Sequence, residues 1–174
     1  MDFDGYDVDD VLADNQRRKK KNSKHKGKRG ELALVKLFNE RFQTHTFSRV
    51  VGSGNRWAQI ECVTRDYIGD IVCPPGFRFT IECKNGYNDI DLYAATQGPV
   101  AALDEFLSQA EEDARRSGKE PLVCWKKDRH PWLGFVKRTL VKKRFDYQLR
   151  YRDWLGTGLL PLFALPNSFF ITDV

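Results

Sequence analysis

A chain of 174 residues with 41% hydrophobic content can bury one good core, which excludes an intrinsically disordered chain and makes a single domain the expectation. Lys and Arg number 29 against 24 Asp and Glu, a formal charge of +5, and that balance leans toward polyanions without proving a nucleic-acid partner. No apolar run reaches the length of a membrane span and the first residues are acidic, so neither a transmembrane segment nor a signal peptide is expected, and the protein should be cytoplasmic.

The beginning of the chain is divided by charge. Asp2, Asp4, Asp7, Asp9, Asp10 and Asp14 come first, followed by Arg17, Arg18, Lys19, Lys20, Lys21, Lys24, Lys26, Lys28 and Arg29. Blocks of like charge usually stay unfolded, so residues 1–25 read as a disordered acidic, then basic, arm whose basic part can reach phosphates. Residues 26–174 read as one domain with a C-terminal extension from about residue 131.

From residue 30 to about residue 42, Leu34, Val35, Leu37, Phe38 and Phe42 recur at helical spacing. Glu31 falls three and four residues before Leu34 and Val35, on the inward edge, where it either joins a site or sits in the first turn favoured by the helix dipole. Residues 45–51 alternate loosely as a first strand, ending at Gly52-Ser53-Gly54-Asn55, whose glycines permit a tight turn or a close approach to phosphate. Arg56 and Trp57 suit either a nucleic-acid surface or a buried ring.

Residues 67–73 and 77–84 are rich in β-branched, aromatic and aliphatic side chains, and Pro74-Pro75-Gly76 between them cannot continue a strand. The expected element is a β-hairpin. A period of two places Phe77, Phe79, Ile81 and Cys83 on one face and Arg78, Thr80, Glu82 and Lys84 on the other, and hairpin pairing brings Asp70 within diagonal reach of Glu82. Two carboxylates and an ammonium then share one patch. Close carboxylates repel, and a hard divalent cation with oxygen ligands relieves that, Mg²⁺ being the usual choice beside phosphate. The plain alternative is the polar outer face of an ordinary hairpin.

Residues 85–91 read as a loop, with Asp89 and Asp91 as turn residues. A strong helix then opens at Gly98-Pro99 and runs to Ser117, with Leu103, Phe106, Leu107, Ala110 and Ala114 inward, Gln109 at their border and Gly118 as a stop. Residues 121–125 form a nearly continuous apolar run, as expected of a strand covered on both faces. Lys126, Lys127, Arg129 and His130 come off its end and could line a DNA groove. Residues 133–137 and 144–151 read as further strands, the second with a basic face turned to DNA or solvent. The apolar, proline-broken tail over 159–170 either packs onto the core or joins two subunits. The four cysteines, Cys62, Cys73, Cys83 and Cys124, form no CxxC and read as reduced core residues.

Asp70 followed by Glu82-Cys83-Lys84 resembles the core of the PD-(D/E)xK, or restriction-endonuclease-like, nuclease superfamily, with Gly69 standing where the superfamily name has proline. The run KGKRGELALV at 26–35 resembles the opening of archaeal Holliday junction resolvases and their phage relatives. Residues 49–54 resemble that family's Ser-Gly loop. Order and spacing agree over about 26–127.

The element order helix, strand, β-hairpin, helix, strand makes the expected fold α/β with a mixed central β-sheet flanked by helices, a restriction-endonuclease-like core. The resemblance implies a Mg²⁺-dependent endodeoxyribonuclease, Mn²⁺ being possible, acting on branched or four-way DNA as a homodimer. The alternatives are a phage or restriction-type endonuclease on linear duplex, and a non-catalytic DNA-binding accessory protein. Glu31, Asp70, Glu82 and Lys84 would be catalytic, with metal held by Asp70, Glu82 and the Cys83 carbonyl, and Glu31 serving a second metal or the water shell. Ser53 would touch the scissile phosphate and Gln109 would lie near the metal, while Lys28, Arg29, Arg56, Lys126 and Lys127 would contact DNA.

Overall fold

The computed structural model describes residues 8–50, 67–141 and 146–172, with side chains from His25 onward. The first helix, α1, runs Val8–Phe42. It takes in the stretch from residue 8 to 25 that charge patterning assigns to an unfolded arm, and Lys, Arg and Gln are good helix formers once a helix is nucleated beside them. Its C-terminal half carries the expected apolar stripe, with Leu34 and Phe38 fully buried.

Two short strands follow, β1 (Ser48–Arg49) and β2 (Ile71–Val72), which pair antiparallel with each other. Then comes β3 (Phe79–Asn85), the short helix α2 (Leu92–Gln97) and the long helix α3 (Ala101–Ser117), which ends on Gly118 in the left-handed conformation. The chain goes on through β4 (Glu120–Lys126), β5 (Leu133–Lys137), β6 (Leu149–Tyr151) and β7 (Trp154–Gly158), closing with α4 (Leu159–Phe163) and α5 (Asn167–Phe170). Among the described residues the main sheet has the order β3-β4-β5-β7-β6, parallel between β3 and β4 and antiparallel elsewhere. The fold is therefore α/β with a mixed sheet, as expected.

The hairpin is a correction. β2 makes its ladder with β1, and β3 makes its ladder with β4. What remains between the two segments is a backbone bond from Asp70 N–H to the Ile81 carbonyl, 2.9 Å, and a side-chain bond in which the Asp70 carboxylate accepts the Cys83 N–H at 2.8 Å. A carboxylate has taken the place of a ladder carbonyl. Gly69 precedes it with φ +93°, and a Cβ there would fall 2.9 Å from the Ile81 carbonyl oxygen. Proline, fixed near φ −65°, cannot adopt that backbone, so the departure from the superfamily's name has a local cause.

Alternate residues of β4 divide the core. Leu122 and Cys124 pack with α1 and the C-terminal helices, while Val123 and Trp125 pack with α3. The strand is thus covered on both faces, as its apolar run indicates. On the α1 side the Phe38 ring lies within 4.9–6.3 Å of Phe42, Phe47, Phe77 and Phe163. The tail packs onto this core: Phe170 is buried, and Arg41 donates to the Phe163 and Leu165 carbonyls. Removing the Phe38 ring should cost about 3–5 kcal/mol, read as a lower urea midpoint for Phe38→Ala with an unchanged slope.

The strand expected over 144–151 shortens to β6, with Leu149 and Tyr151 buried and Arg150 exposed; residues 142–145 lie outside the described set. Cys83 and Cys124 are free thiols.

Candidate active site

The apolar face of β3, Phe79 and Ile81, is buried toward α1. The opposite face therefore meets α3, and that is where the polar residues go. Thr80 bonds Ser117 at 2.5 Å, and Lys84 donates to Gln109 Oε1 at 2.7 Å. Glu82 lies between them, only 3% exposed. Its Oε1 stands 2.6 Å from the Lys84 ammonium, so the two side chains predicted to share a face do so in contact.

Asp70 comes in from the edge of β3 away from β4, anchored by the Cys83 N–H. The N–H and C=O of one strand residue point to the same edge, so the Cys83 carbonyl also faces the Asp70 side. Glu31 is brought to the same end because α1 touches β3 at a glycine. A Cβ on Gly30 would fall 2.5 Å from Asn85 Cβ, and no larger residue permits that approach. Asn85 in turn donates to the Lys26 carbonyl at 2.8 Å. The Glu31 carboxylate accepts from Arg49 at 2.9 Å.

Charge in this pocket is strongly coupled. Burial raises the Asp70 carboxyl to about 6, with Glu31 adding to the shift and the Cys83 N–H opposing it. Burial and the Asp70 charge push Glu82 up to about 8, against the pull of Lys84. Burial also works against the Lys84 ammonium, but Glu82 outweighs it and the lysine is held above its ordinary value. These directions agree on one statement. The group retains more protons than its members would in water: Lys84 stays an ammonium, and the two carboxyls do not readily both ionise.

Among the described residues no three His, Cys, Asp or Glu side chains converge as a ready metal cage. The Glu82 carboxyl feels the Asp70 charge, and these two carboxylates with the Cys83 carbonyl on the Asp70 side are all hard oxygen donors. That set fits Mg²⁺ or Mn²⁺, since Mg²⁺ keeps several waters and is commonly held by one or two carboxylates plus substrate phosphate. A dication would also relieve the repulsion that raises the two carboxyls.

Of the residues expected to meet DNA, Arg29 and Lys126 line one cleft of about 540 Å³, together with Arg129, Asp128 and Trp132. The Lys126 ammonium lies 5.6 Å over the Trp132 ring and that of Lys127 6.0 Å from the Trp125 ring. Lys28 is exposed on α1, and His130 is exposed in the β4–β5 turn. Ser53 and Arg56 lie outside the described residues.

Three contributors were not singled out from the sequence. Asp113 lies one helical turn beyond Gln109; burial raises its carboxyl, with Arg116 opposing, and its charge is felt by both Asp70 and Glu82. The i, i+4 spacing on α3 was the available signal. Arg49, partner of Glu31, opens the run 49–54 without a role of its own there, and Phe106, read only as part of the apolar face of α3, lies 5.1 Å under the Lys84 ammonium.

A family model described as a phage putative PDDEXK endonuclease matches residues 22–153, most of the chain. No curated protein and no solved structure matches it.

Proposed function

The chain belongs to this phage PDDEXK endonuclease family, and so to the PD-(D/E)xK nucleases, and from that premise we propose that it cuts branched DNA through a metal site built on Asp70 and Glu82. The observation that supports this most is the buried Glu82 carboxyl 2.6 Å from the Lys84 ammonium, which also donates to Gln109 at 2.7 Å. Mg²⁺, or Mn²⁺, would be bound by Asp70, Glu82 and the Cys83 carbonyl, supplying Lewis acidity at the phosphate and a more acidic water.

The remaining roles fall to the chain's own groups. Lys84, fully protonated, offsets the charge that develops on the phosphate and orients the attacking water; it is too basic to act first as a proton acceptor. With Glu82 engaged by a metal, Lys84 would keep its bond to Gln109 and be free to face substrate. Glu31 serves the water shell or a second cation, held meanwhile by Arg49. Arg29, Lys28, Lys126 and Lys127 bind phosphates flanking the cut.

Gln109 is then a positioning residue. Gln109→Ala should lower kcat about tenfold with KM little changed, whereas loss of a DNA contact would raise KM. Single-turnover and steady-state cleavage together separate the two.

Two symmetric cuts in a four-way junction call for a homodimer with a two-fold axis. The test is purified protein on labelled four-way, flapped and linear DNA, with Mg²⁺ or with chelator. Paired nicks in the junction, metal-dependent and faster than on linear duplex, are expected. Equal or better cutting of linear duplex would favour a restriction-type role, and binding without cutting an accessory one. Light scattering should give a dimer with junction DNA.

A further inference from the structure

Tyr87 sits in the loop leaving β3, three residues beyond Lys84. Its backbone is left-handed, φ 55°, a region that a residue with a bulky side chain enters only when its surroundings enforce it. Both neighbours enforce it here. The Gly86 N–H donates to the Lys126 carbonyl at 2.8 Å, and the Gly86 carbonyl accepts the Trp125 indole at 3.0 Å. On the other side, the Asn88 amide donates to the Asp128 carboxylate at 2.7 Å and its side-chain oxygen accepts the Asp128 N–H at 2.8 Å.

The ring so placed stands near-perpendicular to Phe106, centroids 4.7 Å apart, and Phe106 is the same ring that underlies the Lys84 ammonium. Yet Tyr87 remains 49% exposed. A residue serving only to cover Phe106 would need neither the strained backbone nor the exposure. The loop instead holds an aromatic ring, packed on one side against Phe106 and half exposed, beside Lys84.

An exposed ring at a cleavage site has one general use toward DNA, which is stacking on a base, and every base has a π-face to offer. In continuous duplex each of those faces is already covered by a neighbour. A branch point, flap or bulge leaves one free. Taking Asp70, Glu82 and Lys84 as the cleavage site, we propose that Tyr87 is a specificity-determining contact that stacks on a base face left open beside the scissile phosphate, selecting branched over continuous DNA.

The test uses the full-length protein with a four-way junction carrying 2-aminopurine next to the branch point, and a linear duplex of the same sequence carrying it internally. Binding is measured in chelator and cleavage in Mg²⁺. Wild type should change the fluorescence of the junction probe on binding and leave the linear probe unaltered. Tyr87→Ala and Tyr87→Leu should lose about tenfold or more in junction affinity, together with the fluorescence change. Tyr87→Trp should retain both, and all three should bind linear duplex as wild type does. Tyr87→Leu keeps an apolar cover over Phe106, so its behaving like wild type on the junction would mark a packing role and overturn the proposal. An equal loss on both DNAs would overturn it as well. Wild type cutting the junction while Tyr87→Ala cuts it equally well sinks this inference alone, whereas wild type that cuts neither DNA sinks the nuclease site on which it rests.

Discussion

Lys84→Ala and Glu82→Gln should each reduce DNA cleavage by at least about 10²–10³-fold, the scale seen when a single preorganised electrostatic group is removed from a polar transition state. The reasons differ. Lys84→Ala removes the cation that faces the phosphate and leaves both carboxyls present. Glu82→Gln keeps the shape and most of the hydrogen bonding of the side chain but removes one of two anionic oxygen donors, so its loss should be partly relieved by raising the metal concentration. Neither change reaches Arg29 or Lys126 in the phosphate cleft, so DNA affinity in chelator should be largely kept. Circular dichroism of both variants should match wild type and both should melt cooperatively, which excludes unfolding. Unimpaired cutting by either purified variant would remove the chemistry assigned to this pocket.

Asp70→Asn should make the metal-free protein more stable in alkali while abolishing its activity. A carboxyl whose folded pKa lies above its unfolded one stabilises the fold at low pH, and that contribution is lost as pH rises through the folded value. Asp70 is raised from 3.8 to about 6 and Glu82 from 4.5 to about 8, so the loss begins near pH 4 and is complete a little above pH 8. For Asp70 the ionised form is penalised by up to about 3 kcal/mol, from the rise of 3.8 to about 6. The Asn side chain can still accept the Cys83 N–H through its oxygen, and it carries no charge to bury. In chelator, the melting temperature of wild type should therefore fall between pH 5 and pH 8.5, and that of Asp70→Asn should fall less. Mg²⁺ should raise the wild-type melting temperature more at pH 8 than at pH 6, because at the lower pH it must displace a proton. A wild-type profile that is flat with pH, or a variant that falls in parallel with it, would mean that these carboxyls are not buried together.

Much of this pocket could be read in the sequence because β3 is a regular strand. Period-two alternation puts Glu82 and Lys84 on one side and Phe79 and Ile81 on the other, and the fold keeps that division. The helical stripe of α3 and its Gly118 stop were equally legible and put Gln109 at the border of the buried face, while its place near the metal came from the family resemblance alone. Pairing was not. Nothing local in residues 67–84 distinguishes a hairpin from two strands with different partners, since β3 finds β4 across the whole of α3. β7 escaped notice for a related reason: Trp154–Gly158 is buried on both faces and contains two glycines, so it shows neither alternation nor ordinary strand composition. Gly156 is needed there, because a Cβ would fall 2.7 Å from the Phe135 ring. The approach of Glu31 depends on the bare contact between Gly30 and Asn85, and the position of Asp70 depends on the left-handed Gly69. Tertiary packing fixes both, and spacing alone does not.

The most direct measurement is the position of Mn²⁺ bound to crystals of the protein, read from its anomalous scattering. A peak between the Asp70 and Glu82 carboxylates, on the Cys83 carbonyl side and lost in Asp70→Asn, is the predicted result. A well-occupied peak elsewhere, or none at a metal concentration that supports cleavage, would contradict it.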